Sequence, residues 1–217
     1  PQAFRFESIL AAHRAWHGAA DAGDDAQVLS AHGGEVLLVE GDERLRKITF
    51  AEDLVNELPA IRVGTGFDVH RLSEGEELWL CGIYIPHDKG LAGHSDADVA
   101  IHALVDALLG AIGEGDIGTH FPPSDPQWKG ASSPLFLAHA AQLVAEAGYA
   151  IGNLDLTLIC EAPKIGPHRE RMRAKLAELL QIDPALVSIK ATTTERLGFT
   201  GRGEGIAAQA VVSLLRQ

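Results

Sequence analysis

Cysteine, cationic side chains and long apolar runs are all scarce in this 217-residue sequence, and each scarcity narrows what the protein can be. Two cysteines, Cys81 and Cys160, cannot build a disulfide framework and point to a reducing compartment. No apolar run approaches the ~20 residues of a bilayer-spanning helix, and no basic-then-apolar leader opens the chain, so a cytoplasmic protein is expected. Eighteen Lys and Arg stand against 30 Asp and Glu, a net charge of −12. A surface that acidic repels polyphosphate backbones and argues against non-specific binding to nucleic acid or an anionic membrane. A small anionic substrate then needs a local site or a metal. The remaining composition, 46% apolar and 22% charged, is that of a globular protein with ample side chain for a core. The first residue is Pro1 rather than Met, as expected of a piece processed or cut from a longer chain.

Residues 1–58 read as a small α/β piece. Phe6, Ile9, Leu10 and Ala12 fall near helical spacing and predict a helix over Phe6–Ala20, ended by the breaker-rich stretch from Gly18 to Asp25. A short helix follows over Asp25–Ala31, then a strand over Glu35–Glu40. Thr49 and Glu52 stand in capping-box relation ahead of a helix over Phe50–Leu58. No His, Cys or carboxylate cluster converges here, so the piece reads as scaffold.

Leu58-Pro59-Ala60 marks the boundary, and residues 59–217 form a second domain. Ile61, Val63, Thr65, Phe67 and Val69 alternate, the period-2 mark of a strand. Further strands are predicted over Leu78–Ile85, Leu154–Glu161, Val187–Thr193 and Gly205–Leu215. Helices are predicted over Asp96–Ile112, capped by Ser95 or Asp96, from Ser133-Pro134 to Gly148, and over Pro167–Leu180. Interleaved strands and helices predict an α/β fold, a two-layer sandwich with helices packed on a mixed sheet. No internal repeat or low-complexity segment is present.

Asp68-x-His70 ends the first of these strands, and residues i and i+2 share a face, so a carboxylate and an imidazole can chelate one ion. Asp98, His102 and Asp106, spaced i, i+4, i+8, give the following helix a polar stripe that offers a third ligand. Two His and a carboxylate with an open position suit catalytic rather than structural zinc. Taken singly, each His reads as an ordinary surface or core residue; the set is harder to dismiss. His94-Ser95-Asp96 carries two readings, simple capping by Ser95 and an anion site at the helix start. The densest signal runs from Ala191 to Gly205: Thr192, Thr193 and Thr194, then Glu195, Arg196 and Arg202 among four glycines. Such loops cradle phosphates, and Glu195 is placed to hold a hard divalent ion. A solvated turn explains the glycines but not the crowding of Thr, Glu and Arg. Asp116-Ile117-Gly118 and Ala162 through Pro167 are weaker candidates, loops at element ends where α/β proteins place ligand contacts.

Gly66-Phe67-Asp68-Val69-His70, the run from His94 to Leu104, Gly115-Asp116-Ile117-Gly118 and the Thr-rich loop together resemble the 2-C-methyl-D-erythritol 2,4-cyclodiphosphate synthases, in order from about Ile61 onward. The resemblance implies a homotrimer with active sites at subunit interfaces. It implies conversion of 4-diphosphocytidyl-2-C-methyl-D-erythritol 2-phosphate to the cyclic diphosphate with release of CMP, in non-mevalonate isoprenoid synthesis. By motif, Asp68, His70 and His102 would bind Zn²⁺, and Glu195 would ligate Mg²⁺ or Mn²⁺ held mainly by the substrate diphosphate. His94 and Ser95 would meet the methylerythritol phosphate, Asp116 and Gly118 its diol, and Pro163, Lys164, Ile165 and Gly166 the cytosine. Thr192 and Thr193 would meet the nucleotide phosphates, with Phe199 and Arg202 near a trimer axis. Pro123 stands where that family often has Asp, which touches one contact near the diol. Residues 1–58 resemble the tail of 4-diphosphocytidyl-2-C-methyl-D-erythritol cytidylyltransferase, through Asp24-Asp25, Val39 to Asp42 and Lys47-Ile48-Thr49. That enzyme's Gly-rich nucleotide loop is missing from these residues, so no cytidylyltransferase activity is expected of them. Two other functions fit the same residue types: a zinc-dependent phosphohydrolase, and a non-catalytic module binding cytidine nucleotides.

Overall fold

The computed structural model describes residues 2–17, 22–42, 45, 47, 49, 59–93, 95–122, 124, 125, 128 and 130–217. Backbone contacts divide the chain into two units, Pro1–Glu57 and Leu58–Gln217. In the first, α1 (Phe6–Arg14) packs on α2 (Asp25–Ala31) through the buried Ala12 and Val28. Asp24 accepts the Gln27 N–H at 2.8 Å, and Gln27 Oε1 returns to the Gly23 N–H at 2.7 Å, a reciprocal cap for α2. The helix α1 is shorter than the predicted Phe6–Ala20, because its apolar spacing runs out at Ala12 and Ala15 closes the last turn on Ala11. Glu35–Glu40 forms no strand: with no neighbour among the described residues to pair its backbone it is irregular, with Leu37 78% and Leu38 96% exposed. The helix predicted over 50–58, with Glu52, lies outside the described residues.

The second unit is built on a five-stranded mixed sheet, covered on one face by helices. Its strands are β1 (Ile61–Glu74), β4 (Lys89–Ala92), β5 (Tyr149–Ile159), β6 (Val187–Thr192) and β7 (Gly205–Arg216), in the order β4-β1-β7-β5-β6. The pairings β1–β4, β1–β7 and β5–β7 are antiparallel and β5–β6 is parallel, so β1, β5 and β6 run the same way and finish at one end of the sheet. The covering helices are α3 (Val99–Ile112), α5 (Ser133–Glu146) and α6 (Arg169–Leu180). Leu154, Leu156 and Leu158 of β5 and Ile206, Ala208, Ala210, Val212 and Leu214 of β7 point into this layer and form the core with α3.

Three local features depart from the sequence reading. The apolar alternation of β1 marks the outer face, not the covered one: Ile61, Val63 and Phe67 are each about 60% exposed, whereas Gly64 and Gly66 are buried against α3. Leu78–Ile85 is not one strand but a small hairpin of β2 (Trp79–Leu80) and β3 (Ile83–Tyr84). Cys81 and Gly82 turn the chain with φ of 56° and 74°, the left-handed pair that a two-residue hairpin requires. The helix α3 starts at Val99 with Asp98 as its cap, rather than Ser95 or Asp96. The Asp98 carboxylate, fully buried, accepts the N–H groups of Ala100 and Ile101 and also those of Cys81 and Gly82. It therefore pins the hairpin turn to the helix start.

Candidate active site

Two glycines decide where α3 lies. A Cβ on Gly64 would stand 1.9 Å from the Ala107 carbonyl oxygen, and one on Gly66 would stand 1.9 Å from that of Ala103. Helix backbone thus rests directly on strand backbone, closer than any side chain permits. His102 precedes Ala103, while Asp68 and His70 follow Gly66 on the same face of β1. The close approach brings the three side chains together.

Asp68 Oδ2, His70 Nε2 and His102 Nδ1 form a near-equilateral triangle, with edges of 3.0 Å from Asp68 to His70, 3.1 Å from Asp68 to His102 and 3.0 Å between the two rings. Among the described residues this is the one cluster of three such ligand atoms. His70 Nδ1 lies 3.1 Å from the Ala92 carbonyl oxygen, which has no proton to give, so Nδ1–H donates there and Nε2 turns a lone pair inward. Burial alone raises the Asp68 pKa, but hydrogen bonds from His102 and His70, donated when a ring carries a proton on its inward nitrogen, outweigh it and hold the carboxyl well below the usual range. Burial lowers the His70 pKa, and here too the partner prevails: the hydrogen bond and charge of Asp68 raise it. Lone pairs of an anion and an imidazole face each other at 3.0 Å, an arrangement that needs a cation between them. A proton bridges one edge at a time, whereas a metal ion touches all three atoms. Ligands at 2.0–2.1 Å from a tetrahedral ion lie about 3.3 Å apart, close to the edges observed. The donor set, two imidazoles and a carboxylate open on one side, fits a divalent metal.

The open side faces a cleft of about 220 Å³. Ser95 and Gly118 line it, with Ile117, Phe121, Trp128 and Phe136 as an apolar wall. Phe121 packs at 4.4 Å between centroids on Phe136 and edge-on to Trp128 at 5.0 Å. Sequence reading missed this wall, because its members come from three separated segments and carry no shared periodicity. The polar stripe of α3 divides: His102 joins the triad, Asp98 caps the helix, and Asp106 accepts the Ile117 N–H at 2.8 Å. Burial raises the Asp106 pKa. Asp116 caps the short helix α4 (Ile117–His120) and accepts both N–H and hydroxyl of Thr119 at 2.8 Å. His94 and Pro123 lie outside the described residues.

The other candidates gather where β5 and β6 end. Cys160 N–H donates to the Thr192 carbonyl at 3.1 Å, which sets the Ala162–Gly166 loop, with its cis Ala162–Pro163 bond, beside the threonines. Burial pushes the Cys160 thiol up to about 11, so it stays protonated. Ile165, Gly166, Arg169, Ile189, Lys190 and Ala191 enclose a hollow of about 380 Å³. Thr192, Thr193 and Lys164 are exposed. Glu195 and Arg196 both take positive φ, 53° and 64°. Glu161, which the sequence did not single out, holds them there: its Oε1 accepts the N–H groups of Thr194 and Arg196, each at 3.1 Å, bracketing Glu195. Thr193 Oγ1 donates to Glu195 Oε1 at 3.3 Å. Phe199 is 39% exposed on α7 (Gly198–Gly201), and the Arg202 fork is engaged by Glu204 at 2.8 and 2.9 Å. Two strands, β7 and β5, separate β1 from β6, a lateral distance of about 14 Å between the triad and the Thr loop at the same end of the sheet.

Comparison with known proteins divides the chain where its contacts do. Residues 61–215 match the model of the YgbB family, and residues 1–58 match that of 2-C-methyl-D-erythritol 4-phosphate cytidylyltransferase. A relative from Erythrobacter litoralis, described as bifunctional enzyme IspD/IspF, is 71% identical over 217 residues, covering 100% of this chain and 56% of the relative. The chain thus spans just over half the length of such relatives. Among solved structures, the bifunctional IspDF from Campylobacter jejuni has a TM-score of 0.71 at 39% identity, covering 97% of this chain and 58% of that one. A CDP-bound 2C-methyl-D-erythritol-2,4-cyclodiphosphate synthase has a TM-score of 0.66 at 42% identity, covering 70% of this chain and 99% of that one.

Proposed function

This chain belongs to the YgbB family, and we propose that it converts 4-diphosphocytidyl-2-C-methyl-D-erythritol 2-phosphate to 2-C-methyl-D-erythritol 2,4-cyclodiphosphate and CMP. The observation that carries the reading is the triangle of Asp68, His70 and His102, set in a cleft at the sheet end that also bears the Thr and Gly loop. A 2-phosphate oxygen attacks the β-phosphorus, the bond from that phosphorus to the bridging oxygen breaks, and CMP leaves with the bridging oxygen. The attacking oxygen is already anionic, so no side chain has to remove a proton. Positioning and charge neutralisation remain for the protein. Zn²⁺ held by Asp68, His70 and His102, with Mg²⁺ or Mn²⁺ at Glu195, would supply the Lewis-acid charge for the diphosphate. Thr192, Thr193 and the glycine-rich backbone bind the nucleotide phosphates, and the loop from Pro163 to Gly166 takes the cytosine. His94 and Ser95 orient the methylerythritol phosphate, with Asp116 and Gly118 at its diol. Phe121, Trp128 and Phe136 keep the cleft dry, which favours cyclisation over hydrolysis.

The test is the product. Phosphorus-31 NMR of the reaction is expected to show CMP and a cyclic diphosphate in equal amounts, both lost when zinc is chelated. Inorganic phosphate would make the chain a hydrolase; CMP or CDP binding without turnover would make it a non-catalytic module.

The homotrimer belongs to the same proposal. The uncovered face of the sheet sets Ile61 opposite Leu215 and Thr65 opposite Val211, flanked by Val63, Phe67 and Val69. An exposed row of apolar side chains of that kind marks an interaction surface, which supports assembly of copies of the chain through this face. Val63→Asp is expected to shift the chain to monomers in analytical ultracentrifugation, since an unpaired buried charge costs about 3–5 kcal/mol. Assembly unchanged in that variant would remove the sheet face from the interface. Residues 1–58 are proposed as the end of a cytidylyltransferase domain fused ahead of the synthase, in which the exposed Val36–Val39 row finds cover. Among the described residues no helix is long and apolar enough to cross a membrane, and both cysteines are buried free thiols, which supports a cytoplasmic location.

A further inference from the structure

His102 enters the triad through Nδ1, so its other ring nitrogen decides whether Nδ1 offers a lone pair or a proton. Nε2 lies 3.0 Å from Ser133 Oγ and 3.2 Å from Ser95 Oγ. A hydroxyl both donates and accepts, so these distances alone leave the tautomer open. The partners of Ser133 close it. Its backbone N–H donates to Asp96 Oδ2 at 2.9 Å, and its hydroxyl donates to Asp96 Oδ1. The Asp98 N–H also approaches Oδ1, at 3.4 Å, so that oxygen sits among donors. Ser133 has one hydroxyl proton, and the carboxylate takes it. With Ser133 at 0% exposure, no bulk water offers it another partner.

We propose that Asp96 and Ser133 are positioning residues that hold His102 as the Nε2–H tautomer, aiming its Nδ1 lone pair at the point where Asp68 and His70 converge. The relay rests on the metal reading for its purpose but not for its geometry. It mirrors the restraint on the other ring, where the Ala92 carbonyl holds His70 Nδ1–H and frees Nε2. Each imidazole is thus locked from behind by an acceptor, the arrangement that fixes ring orientation and raises ligand basicity in metal sites. Here the acceptor behind His102 is a serine oxygen whose own proton is anchored by a carboxylate. Ser95, the second neighbour of Nε2, takes the Ala97 N–H at 3.2 Å and keeps its hydroxyl proton for a ligand in the cleft.

Ser133→Ala and the volume-conserving Asp96→Asn, each made in the full chain, test this. Zinc affinity is read by competition with a chromophoric chelator, the His102 ring by long-range proton–nitrogen NMR of metal-free protein at alkaline pH, and folding by circular dichroism. The unaltered chain is expected to show Nε2–H at His102. Ser133→Ala is expected to weaken zinc binding roughly 10- to 100-fold and to mix the tautomers. Asp96→Asn should lose less, since its amide oxygen still accepts, and the double variant should be no weaker than Ser133→Ala alone, as for members of one chain of bonds. An Nδ1–H ring in the unaltered metal-free protein, or folded variants that bind zinc undiminished, would overturn the relay. An unaltered chain with the expected tautomer but no zinc affinity would overturn the metal reading and leave the relay standing. If Ser133→Ala does not fold, Asp96→Asn carries the test.

Discussion

His102→Ala is expected to abolish cyclic diphosphate formation, by about 10³-fold or more, while the subunits stay folded and assembled. The size follows from the triangle. His102 supplies one of three atoms that stand 3.0–3.1 Å apart, and two ligands cannot hold an ion where three were arranged to. The fold is spared because His102 and Asp106 are the two polar members of an otherwise apolar helix, and His102 packs at the rim of the core. Its neighbours Ile101, Ala103, Leu104 and Val105 carry the burial. Turnover, zinc content and sedimentation of one preparation check the three parts together. Full activity in this variant would remove His102 from the site.

The second large effect concerns a residue with no chemistry of its own. Gly66→Ala is expected to destabilise the second unit by about 3 kcal/mol or more and to abolish metal binding at the proposed site. Its new Cβ would stand 1.9 Å from the Ala103 carbonyl oxygen, where carbon and oxygen normally keep about 3.3 Å. The helix must retreat by more than an ångström, or the strand must bow, and either motion carries His102 away from Asp68 and His70. A shift of that size is enough to spoil a three-atom site. In thermal unfolding the midpoint should fall by roughly 6–12 °C, with zinc affinity lost in parallel. Gly110→Ala is the contrast: it lies in the same helix with nothing within 4 Å of its added methyl, and should be neutral or stabilising by up to about 1 kcal/mol. Equal midpoints for the two variants would mean that the helix contact does not set the site.

Gly64 and Gly66 show how far the sequence could be read. Asp68-x-His70 was legible because a strand repeats every two residues, and that period survives whatever the strand packs against. The side of the strand that is covered was not legible. The apolar alternation from Ile61 to Val69 is where a single chain would ordinarily bury itself, yet the covered face carries Gly64, Gly66, Asp68 and His70. An apolar pattern reports that something covers a face, and cannot say whether the cover belongs to the same chain. The stripe of Asp98, His102 and Asp106 was legible as a stripe, but its outer members answer local demands that spacing does not encode. One caps the helix and the other receives the backbone of the next element. Leu78–Ile85 looked like one strand because Cys81 gives no sign that it takes a left-handed turn. Ser133 looked like an ordinary helix start, and its contact with His102 spans 31 residues of chain. Glu161 acts across 33 and 35 residues, on Thr194 and Arg196. Neither contact leaves a local pattern to find.

Anomalous diffraction measured on either side of the zinc absorption edge, from crystals of the chain grown with zinc, addresses the site itself. One peak per subunit is expected, about 2.1 Å from Asp68 Oδ2, His70 Nε2 and His102 Nδ1, in crystals whose dissolved protein releases CMP and cyclic diphosphate. A zinc peak bound elsewhere, or no peak in protein that still turns over, would contradict the assignment of these three residues as the metal centre of the reaction.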